Sequence, residues 1–172
     1  IWLGWALNWA YAKDQPTYPW RGQMSSVREL SLDSTPQGLR LKQSFKPKLD
    51  RLKPEFKLAN FRIMGATKLK DFKFSNKKSY LIELEVSKTI AKNWGISIQG
   101  VGVNSNEKID IGFDEENKQW FVDRKKSGKM IHPGFLLDDR AEFIKGKGKK
   151  MRLLLDHSVL EVLAQDGLVA IS

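Results

Sequence analysis

The chain has 172 residues, a formal net charge of +10, 41% hydrophobic residues and no cysteine. This length suffices for one domain, or one domain and part of another, with a buried core. The lack of cysteine excludes disulfides, thiolate metal sites and cysteine nucleophiles. Two histidines leave little for a zinc site, so we expect no metal and no cofactor. No apolar run approaches the roughly 20 residues of a membrane helix, so we expect no membrane span.

The opening residues are rich in aromatic and turn-forming side chains. Ile1 to Leu3 and Trp5 to Tyr11 are typical of strands, and Lys13 to Thr17 of a polar turn. Met24 to Leu32 indicates a second extended run, so the segment predicts roughly one hairpin. Because an isolated two-stranded hairpin is marginal in water, we expect it to pack on a partner. The chain also begins without Met or a leader, so we expect a trimmed or excised product.

The whole excess of positive charge lies in residues 40 to 78, which hold thirteen Lys or Arg and three acidic residues. Clustered lysines could contact the phosphates of nucleic acid. Lysines outnumber arginines, however, and no aromatic-glycine motif of the RNA-binding type accompanies them. We therefore favour a solvated surface over nucleic-acid binding. Within this region Gln43 to Leu52, which contains Pro47, indicates a linker or a short irregular turn.

Beyond residue 78, apolar and polar residues alternate in short runs between turns rich in Gly, Asn and Asp. This is the pattern of antiparallel strands with one buried face. It recurs in SYLIELEVS, GISIQGVGV, EKIDIGFD, KQWFVDR, DRAEFIKG, KKMRLLLD and SVLEVLAQDG. We expect turns at 104–106, 115–117 and 146–148. With a strand about every ten residues and no helical period, the sequence predicts an all-β fold, an antiparallel β-sandwich in which sequence neighbours pair.

Several segments follow, in order, the motifs of one known family. Gly4 to Leu32, GWALNWAYAKDQPTYPWRGQMSSVRELSL, is similar to the end of its catalytic domain. Val122 to Gly128, VDRKKSG, and Leu155 to Gly167, LDHSVLEVLAQDG, are similar to its later strand and hairpin motifs. The positions of its linker are matched by Gln43, Pro47, Leu49 and Leu52. On these motifs the chain resembles glycoside hydrolase family 32, the invertases, inulinases and levanases.

The resemblance implies a five-bladed β-propeller followed by a β-sandwich. We therefore expect residues 1–33 to be terminal strands of the propeller catalytic domain, 34–57 a linker and 58–172 the C-terminal β-sandwich domain. The family hydrolyses its substrates with retention, using an aspartate nucleophile and a glutamate acid/base. The NDPNG, RDP and EC motifs that carry its catalytic carboxylates do not occur in this chain. We therefore expect no catalytic residue here.

Trp5 and Asn8 are the candidate substrate-binding residues. Sugars stack their C–H faces on indole rings and hydrogen-bond to amides, and the resemblance implies that a tryptophan of this segment lines the fructose pocket. Trp5 matches that residue, and Asn8 lies nearby in the sequence. A purely structural role for Trp5 stays open. For Trp9 and Trp20 we favour packing between propeller and sandwich.

Other polar groups invite a functional interpretation that we do not favour. Glu115 with Glu116 and Asp138 with Asp139 form adjacent acid pairs in turn-like contexts, where acids are usually solvated. The run from Asp156 to Ser158 contains Asp, His and Ser, but three consecutive residues cannot converge as a triad.

Two further pairs of residues leave alternatives open. Arg28 and Glu29 either form an ion pair between domains or face water. Asp123 and Arg124 either bond strand ends within the sandwich, which we favour, or form a sugar-binding patch. Leu163 and Gln165 replace the family's usual Phe and Asn, which bears on the role of that hairpin and not on the fold.

These observations predict the C-terminal region of a retaining β-fructofuranosidase that acts on sucrose or fructans, inactive alone and bracing its propeller. The alternative is a fructan-binding module. The expected partners are a fructose-containing oligosaccharide or polysaccharide and the propeller domain, with a homodimer left open. We favour an extracellular or periplasmic location. The choice between sucrose, inulin and levan is not encoded in this segment.

Overall fold

The computed structural model describes residues 1–16, 18–46, 49, 52–58, 62–69, 75, 79–100, 102–135, 137–157 and 159–172. These residues contain ten strands: β1 (Arg28–Thr35), β2 (Gly38–Phe45), β3 (Tyr80–Glu85), β4 (Asn93–Gln99), β5 (Lys108–Asp114), β6 (Gln119–Lys126), β7 (Asp138–Glu142), β8 (Lys150–Asp156), β9 (Val159–Ala164) and β10 (Val169–Ile171). Short 3-10 turns occur at Ala12–Asp14, Gly102–Asn104 and Gln165–Gly167. In the described ranges no helix is long and apolar enough to cross a membrane.

Eight of these strands form two antiparallel sheets. One sheet is a simple meander in the order β4, β5, β6, β7, and the other has the order β10, β9, β8, β3. Strands β1 and β2 form a separate two-stranded ribbon. The chain is therefore all-β and antiparallel, as the alternating sequence pattern predicts.

The two sheets share one hydrophobic core. Alternation along each strand sends every second side chain inward, and Ile111 and Phe113 on β5 and Met151 and Leu153 on β8 are all buried. Fully burying a side chain of this size stabilises the fold by about 1.5–3 kcal/mol. The buried members of the core are Ile111, Phe113, Trp120, Val122, Ile144, Met151, Leu153, Val162, Ala164 and Val169.

Part of the predicted linker is strand. Gln43 to Phe45 belong to β2, which pairs with β1 along its whole length, from Arg28 opposite Phe45 to Thr35 opposite Gly38. The prediction of a linker or irregular turn from Gln43 is therefore wrong for these three residues. Pro47 lies outside the described residues.

The opening segment also differs from its prediction in detail. Isolated antiparallel bridges join Trp2 to Arg28 and Trp5 to Met24, so the predicted pairing of the two runs exists. Residues 9–11, however, form a turn that continues into the 3-10 turn at Ala12–Asp14, where the sequence predicts strand to Tyr11. The strand β10 was not anticipated by the alternation pattern, because it is only three residues long.

The turn between β5 and β6 is organised by a buried carboxylate. Asp114 Oδ1 accepts hydrogen bonds from the backbone N–H groups of Glu116 (3.0 Å) and Asn117 (2.9 Å). Its Oδ2 accepts from the side-chain amide of Asn117 (2.8 Å) and from Arg140 (3.2 Å). These bonds, with those from Asn117 the strongest, favour the ionised form and lower the pKa of Asp114 to about 2.

We expect this carboxylate to make folding stability depend on pH. The native pKa of Asp114 lies below its usual 3.8, so its contribution is full above that value and is lost as the pH falls towards about 2. Asp114→Asn should therefore lower the free energy of unfolding at pH 7 and flatten its dependence on pH below about 4.5. Urea denaturation across this pH range measures both effects.

The matched control is Glu116→Gln, which removes an exposed carboxylate from the same turn. It should retain the pH dependence of the unaltered chain. If the free energy of unfolding of the Asp114→Asn chain kept the same slope against pH below about 4.5, Asp114 would not be a source of the pH dependence.

Candidate functional site

The candidate residues Trp5 and Asn8 lie in a segment that pairs with residues 23–28. Trp2 and Arg28 exchange backbone hydrogen bonds of 2.7 and 2.9 Å. Further along, Ser25 donates its N–H to the Gly4 carbonyl (2.8 Å), and Gly4 donates its N–H to Ser25 Oγ (3.0 Å). The first residues are therefore fixed to the strand that continues into β1.

Trp5 is partly exposed on this ladder. Its indole ring is 39% exposed and meets the ring of Trp9 edge to face, with centroids 4.6 Å apart. The indole also lies against Gly22, where a Cβ atom would come within 2.1 Å of Nε1. Gly22 also has a φ of +76°, which glycine adopts freely. The Trp5 ring is thus seated on a position that accepts no side chain.

Asn8 is exposed and shapes the turn that follows Trp5. Its side-chain oxygen accepts a hydrogen bond from the N–H of Ala10 (2.8 Å), and its backbone carbonyl accepts one from Tyr11 (3.2 Å). This is an Asx-type turn, which occupies one acceptor position of the amide. A sugar-binding role for Trp5 and Asn8 stays a prediction.

Two other tryptophans of the opening segment are exposed. Trp9 is 81% exposed and Trp20 is 54% exposed. That both pack between a propeller and the sandwich stays a prediction. Aromatic content does not distinguish a core face from a face turned outward, and the exposed ring of Tyr18 belongs to the same region.

Tyr11 is the aromatic residue that anchors the segment to the sandwich. It is buried, and its ring lies 5.5 Å from that of Phe135, edge to face, and 5.9 Å from that of His132. Its hydroxyl accepts a hydrogen bond of 3.5 Å from Arg124, which also pairs with Asp139 at 3.4 Å. Arg124 thus bonds within the sandwich, as we favour, and also reaches the opening segment.

A buried ion pair forms the second anchor. Arg28, on β1, and Glu161, on β9, pair with both side chains almost fully buried. Glu161 also accepts a hydrogen bond of 2.6 Å from the N–H of Ser26, and Arg28 donates one of 2.6 Å to Gln43 Oε1 on β2. Of the two alternatives for residues 28 and 29, Arg28 forms the ion pair, whereas Glu29 is exposed.

The hairpin that carries Glu161 ends in a turn that touches the ribbon. Gln165, Asp166 and Gly167 all have positive φ, and a Cβ at Gly167 would lie 1.7 Å from the Gln43 carbonyl oxygen. The Gln165 amide is buried and accepts hydrogen bonds from Trp120 Nε1 (3.2 Å) and the N–H of Ile144 (2.8 Å). Gln165, which stands where the family usually has Asn, therefore still provides a buried, hydrogen-bonded amide.

The adjacent acid pairs take structural roles. Burial raises the pKa of Glu115, but hydrogen bonds from Lys149 (2.6 Å) and Trp94 (2.9 Å) outweigh it and lower that pKa to about 2. Asp138 accepts hydrogen bonds from Arg140 (3.1 Å), while Asp139 pairs with Arg124. The latter two residues start β7, where we expected a turn. An ionised, paired carboxylate such as that of Glu115 is a poor proton donor.

The remaining candidate groups are exposed or half-buried. His157 Nδ1 lies 3.3 Å from Asp156 Oδ1 at the β8–β9 turn, and Ser158 lies outside the described residues. Asp123 Oδ1 accepts the N–H of Lys125 (3.0 Å), the strand-end bonding that we favour. Among the described residues, no three His, Cys, Asp or Glu side chains are placed to hold a metal ion.

Comparison with protein families gives one match. The model described as "Glycosyl hydrolases family 32 C terminal" matches residues 37–172. This range contains the whole sandwich and β2, and it begins between the two strands of the ribbon.

Curated relatives match almost the whole chain. It is 31% identical over 172 residues to a levanase of Bacillus subtilis (strain 168), covering 97% of this chain and 25% of the levanase. It is 27% identical over 183 residues to an extracellular exo-inulinase of Meyerozyma guilliermondii, covering 99% of this chain and 35% of that protein. The chain thus spans a quarter to about a third of the length of these relatives.

Solved structures share the fold. The exo-inulinase from Aspergillus awamori superposes with a TM-score of 0.72 at 20% identity, over 98% of this chain and 33% of that chain. The fructofuranosidase from Schwanniomyces occidentalis complexed with fructose superposes with a TM-score of 0.64 at 21% identity, over 98% of this chain and 37% of that chain. At these identities the similarity concerns the arrangement of the strands.

Removing one partner of the buried ion pair should be costly. Arg28→Ala leaves the Glu161 carboxylate buried without its counter-charge, which costs about 3–5 kcal/mol in the free energy of unfolding. The double variant Arg28→Met with Glu161→Met should cost less than Arg28→Ala, because no uncompensated charge remains. Urea denaturation at pH 7 measures both.

Arg40→Ala, on the same ribbon, provides the control, since Arg40 is exposed and an exposed substitution typically changes stability by about 0.5 kcal/mol or less. If Arg28→Ala changed the free energy of unfolding as little as Arg40→Ala does, the ion pair would not join the ribbon to the sandwich.

Proposed function

Because the chain belongs to glycosyl hydrolase family 32, whose C-terminal domain it contains, we propose that it is the C-terminal part of a retaining β-fructofuranosidase acting on sucrose or fructans. In this proposal residues 1–33 are terminal strands of a propeller domain that carries the catalytic carboxylates. The sandwich has a bracing role and no catalytic residue. The names of the relatives, levanase and exo-inulinase, support fructan as the substrate class.

The observation that carries the bracing role is the apolar face of the ribbon. Leu30 and Leu32 on β1 share one face with Leu39 and Leu41 on β2, because Leu32 lies opposite Leu41 and side chains alternate. All four are exposed, Leu32 by 70%. Contiguous exposed apolar surface marks a site of interaction. A preceding catalytic domain is the partner that this proposal assigns to the face.

The exposed aromatic side chains extend the same argument. Trp9, Tyr18 and Trp20 all belong to the opening segment, which the proposal assigns to the catalytic domain. That segment is fixed to the sandwich at two places, through Tyr11 and through Arg28. A segment held on one side and apolar on the other suits a joint between two domains.

A test of the bracing role uses a family 32 catalytic domain produced without its own C-terminal domain. Adding this chain should raise the melting temperature of that domain, because binding to the folded state stabilises it. Leu32→Lys should weaken the association at least about tenfold, since it places a charge in the apolar contact. Titration calorimetry and thermal melts measure the two effects.

Ser31→Lys is the matched control, because it adds the same charge to the opposite face of β1. It should bind like the unaltered chain. Equal binding by Leu32→Lys would remove the ribbon from the interface. The chain alone should release no fructose from sucrose or levan, and release by a pure sample would refute the absence of catalytic residues.

A second candidate function, a fructan-binding module, is favoured by the exposed indole of Trp5. An indole held by contacts with Gly22 and Trp9 and partly exposed presents a rigid surface for the C–H face of a sugar. Titration with levan oligosaccharides should then change tryptophan fluorescence, and Trp5→Ala should abolish the change. Trp20→Phe, which replaces another exposed indole, should leave binding intact. No response up to millimolar sugar would remove this function.

A further inference from the structure

The buried carboxylate of Glu161 bonds to one short stretch of chain. Its Oε1 accepts the N–H of Ser26 (2.6 Å), and its Oε2 accepts the Ser26 hydroxyl (3.1 Å) and Arg28 Nε (3.1 Å). Both oxygens are therefore used by residues 26–28. Strand β9, which carries Glu161, lies between β8 and β10 in the second sheet. The stretch is thus tied to an interior strand of the sandwich.

Continuing towards the N-terminus, this stretch fixes the main chain on both sides of Trp5. Before Trp5, Gly4 exchanges hydrogen bonds of 2.8 and 3.0 Å with Ser25. After Trp5, Ala6 donates its N–H to the Gln23 carbonyl (2.8 Å). Gly4 and Ala6, the residues on either side of Trp5, are thus both hydrogen-bonded to residues 23–25, which directly precede the stretch that Glu161 binds.

The position of the Trp5 indole also depends on residues 22–24, which belong to the same continuous segment. Gly22, which supports the ring, immediately precedes Gln23, and Met24 forms the bridge with Trp5. A displacement of residues 22–28 relative to the sandwich would therefore carry the indole with it.

We propose that Glu161 is a positioning residue for Trp5. The carboxylate fixes the position of residues 26–28 on the sandwich. The backbone hydrogen bonds between residues 2–6 and 23–28 then fix the position of the Trp5 indole. Glu161 contacts no sugar in this arrangement. That the ligand of Trp5 is a fructose unit rests on the proposed function, whereas the positioning itself does not.

A purely stabilising role for Glu161 makes a different prediction. Loss of global stability would affect tryptophans in the core, such as Trp94 and Trp120, as much as those of the opening segment. Loss of positioning would affect Trp5 and leave the core unchanged. A probe that reports each indole separately distinguishes the two.

Fluorine NMR of the chain labelled with 5-fluorotryptophan provides this probe. The resonance of Trp5 is assigned by its disappearance in Trp5→Phe, and those of Trp94 and Trp120 in the same way. Glu161→Gln should shift and broaden the Trp5 resonance while the two core resonances stay in place. The control Glu29→Gln removes an exposed carboxylate adjacent to Arg28 and should leave all three unchanged.

Two results would overturn the proposal: a Trp5 resonance unchanged in Glu161→Gln, or Trp5 and core resonances that move together. Should Glu161→Gln fail to fold, Ser26→Ala decides, because it removes only the 3.1 Å bond to the carboxylate. A smaller shift confined to Trp5 supports the proposal in that variant, and no shift refutes it.

A sugar titration separates this proposal from the function on which it builds. If the unaltered chain binds levan oligosaccharides, Glu161→Gln should raise the dissociation constant severalfold, and an unchanged constant counts against positioning. If the unaltered chain binds no sugar, the assigned ligand of Trp5 fails. The fluorine resonances then still decide whether Glu161 positions the indole.

Discussion

The ion pair between Arg28 and Glu161 is the interaction on which the arrangement of the whole chain depends. Its partners are 133 residues apart and join the ribbon to an inner strand of the sandwich. Burying two charges is costly unless each is paired and hydrogen-bonded. Here the Glu161 carboxylate also accepts a hydrogen bond from the N–H of Ser26. The Arg28 guanidinium donates one to Gln43 and lies over the ring of Trp2. The pair is therefore less a source of net stability than a device that permits only one relative placement of its segments.

The turn at Gln165 to Gly167 shows the same principle in a neutral form. A buried amide must have its donor and acceptors satisfied, and Gln165 bonds to both the N–H and the carbonyl of Ile144 as well as to Trp120. Gly167 meanwhile lies so close to the Gln43 carbonyl that no side chain fits. The turn thus closes the core on one side and contacts the ribbon on the other.

Local patterns in the sequence predicted the sandwich well, because a two-residue period reports directly which face of a strand is buried. They failed where tertiary contacts decide. Nothing local marks Gln43 to Phe45 as strand, since the lysine-rich context and Pro47 suggest a linker, and β2 exists because β1 pairs with it. The exposure of Trp9 and the burial of Tyr11 could not be separated either. Both are aromatic residues of one motif, and Tyr11 differs by its contacts with the rings of His132 and Phe135 and with Arg124.

The candidate site was predictable only in part. The resemblance singled out Trp5 and Asn8, but the contribution of Glu161 depends on a contact across most of the chain. Its signal in the sequence was a charged residue at a position of β9 between apolar neighbours, Leu160 and Val162. A charge in such a strand calls for a partner, and Arg28 is a residue for which the sequence leaves an ion pair open.

The location of Glu161 has a consequence for how this chain can recombine with others during evolution. A segment that carries β9 without β1 brings the Glu161 carboxylate without its partner, so the recipient chain must supply an arginine at the matching position. Recombination of this chain is therefore restricted by a single complementary pair. Recombination points between Arg28 and Glu161 separate the two charges, and points before Arg28 keep the pair together.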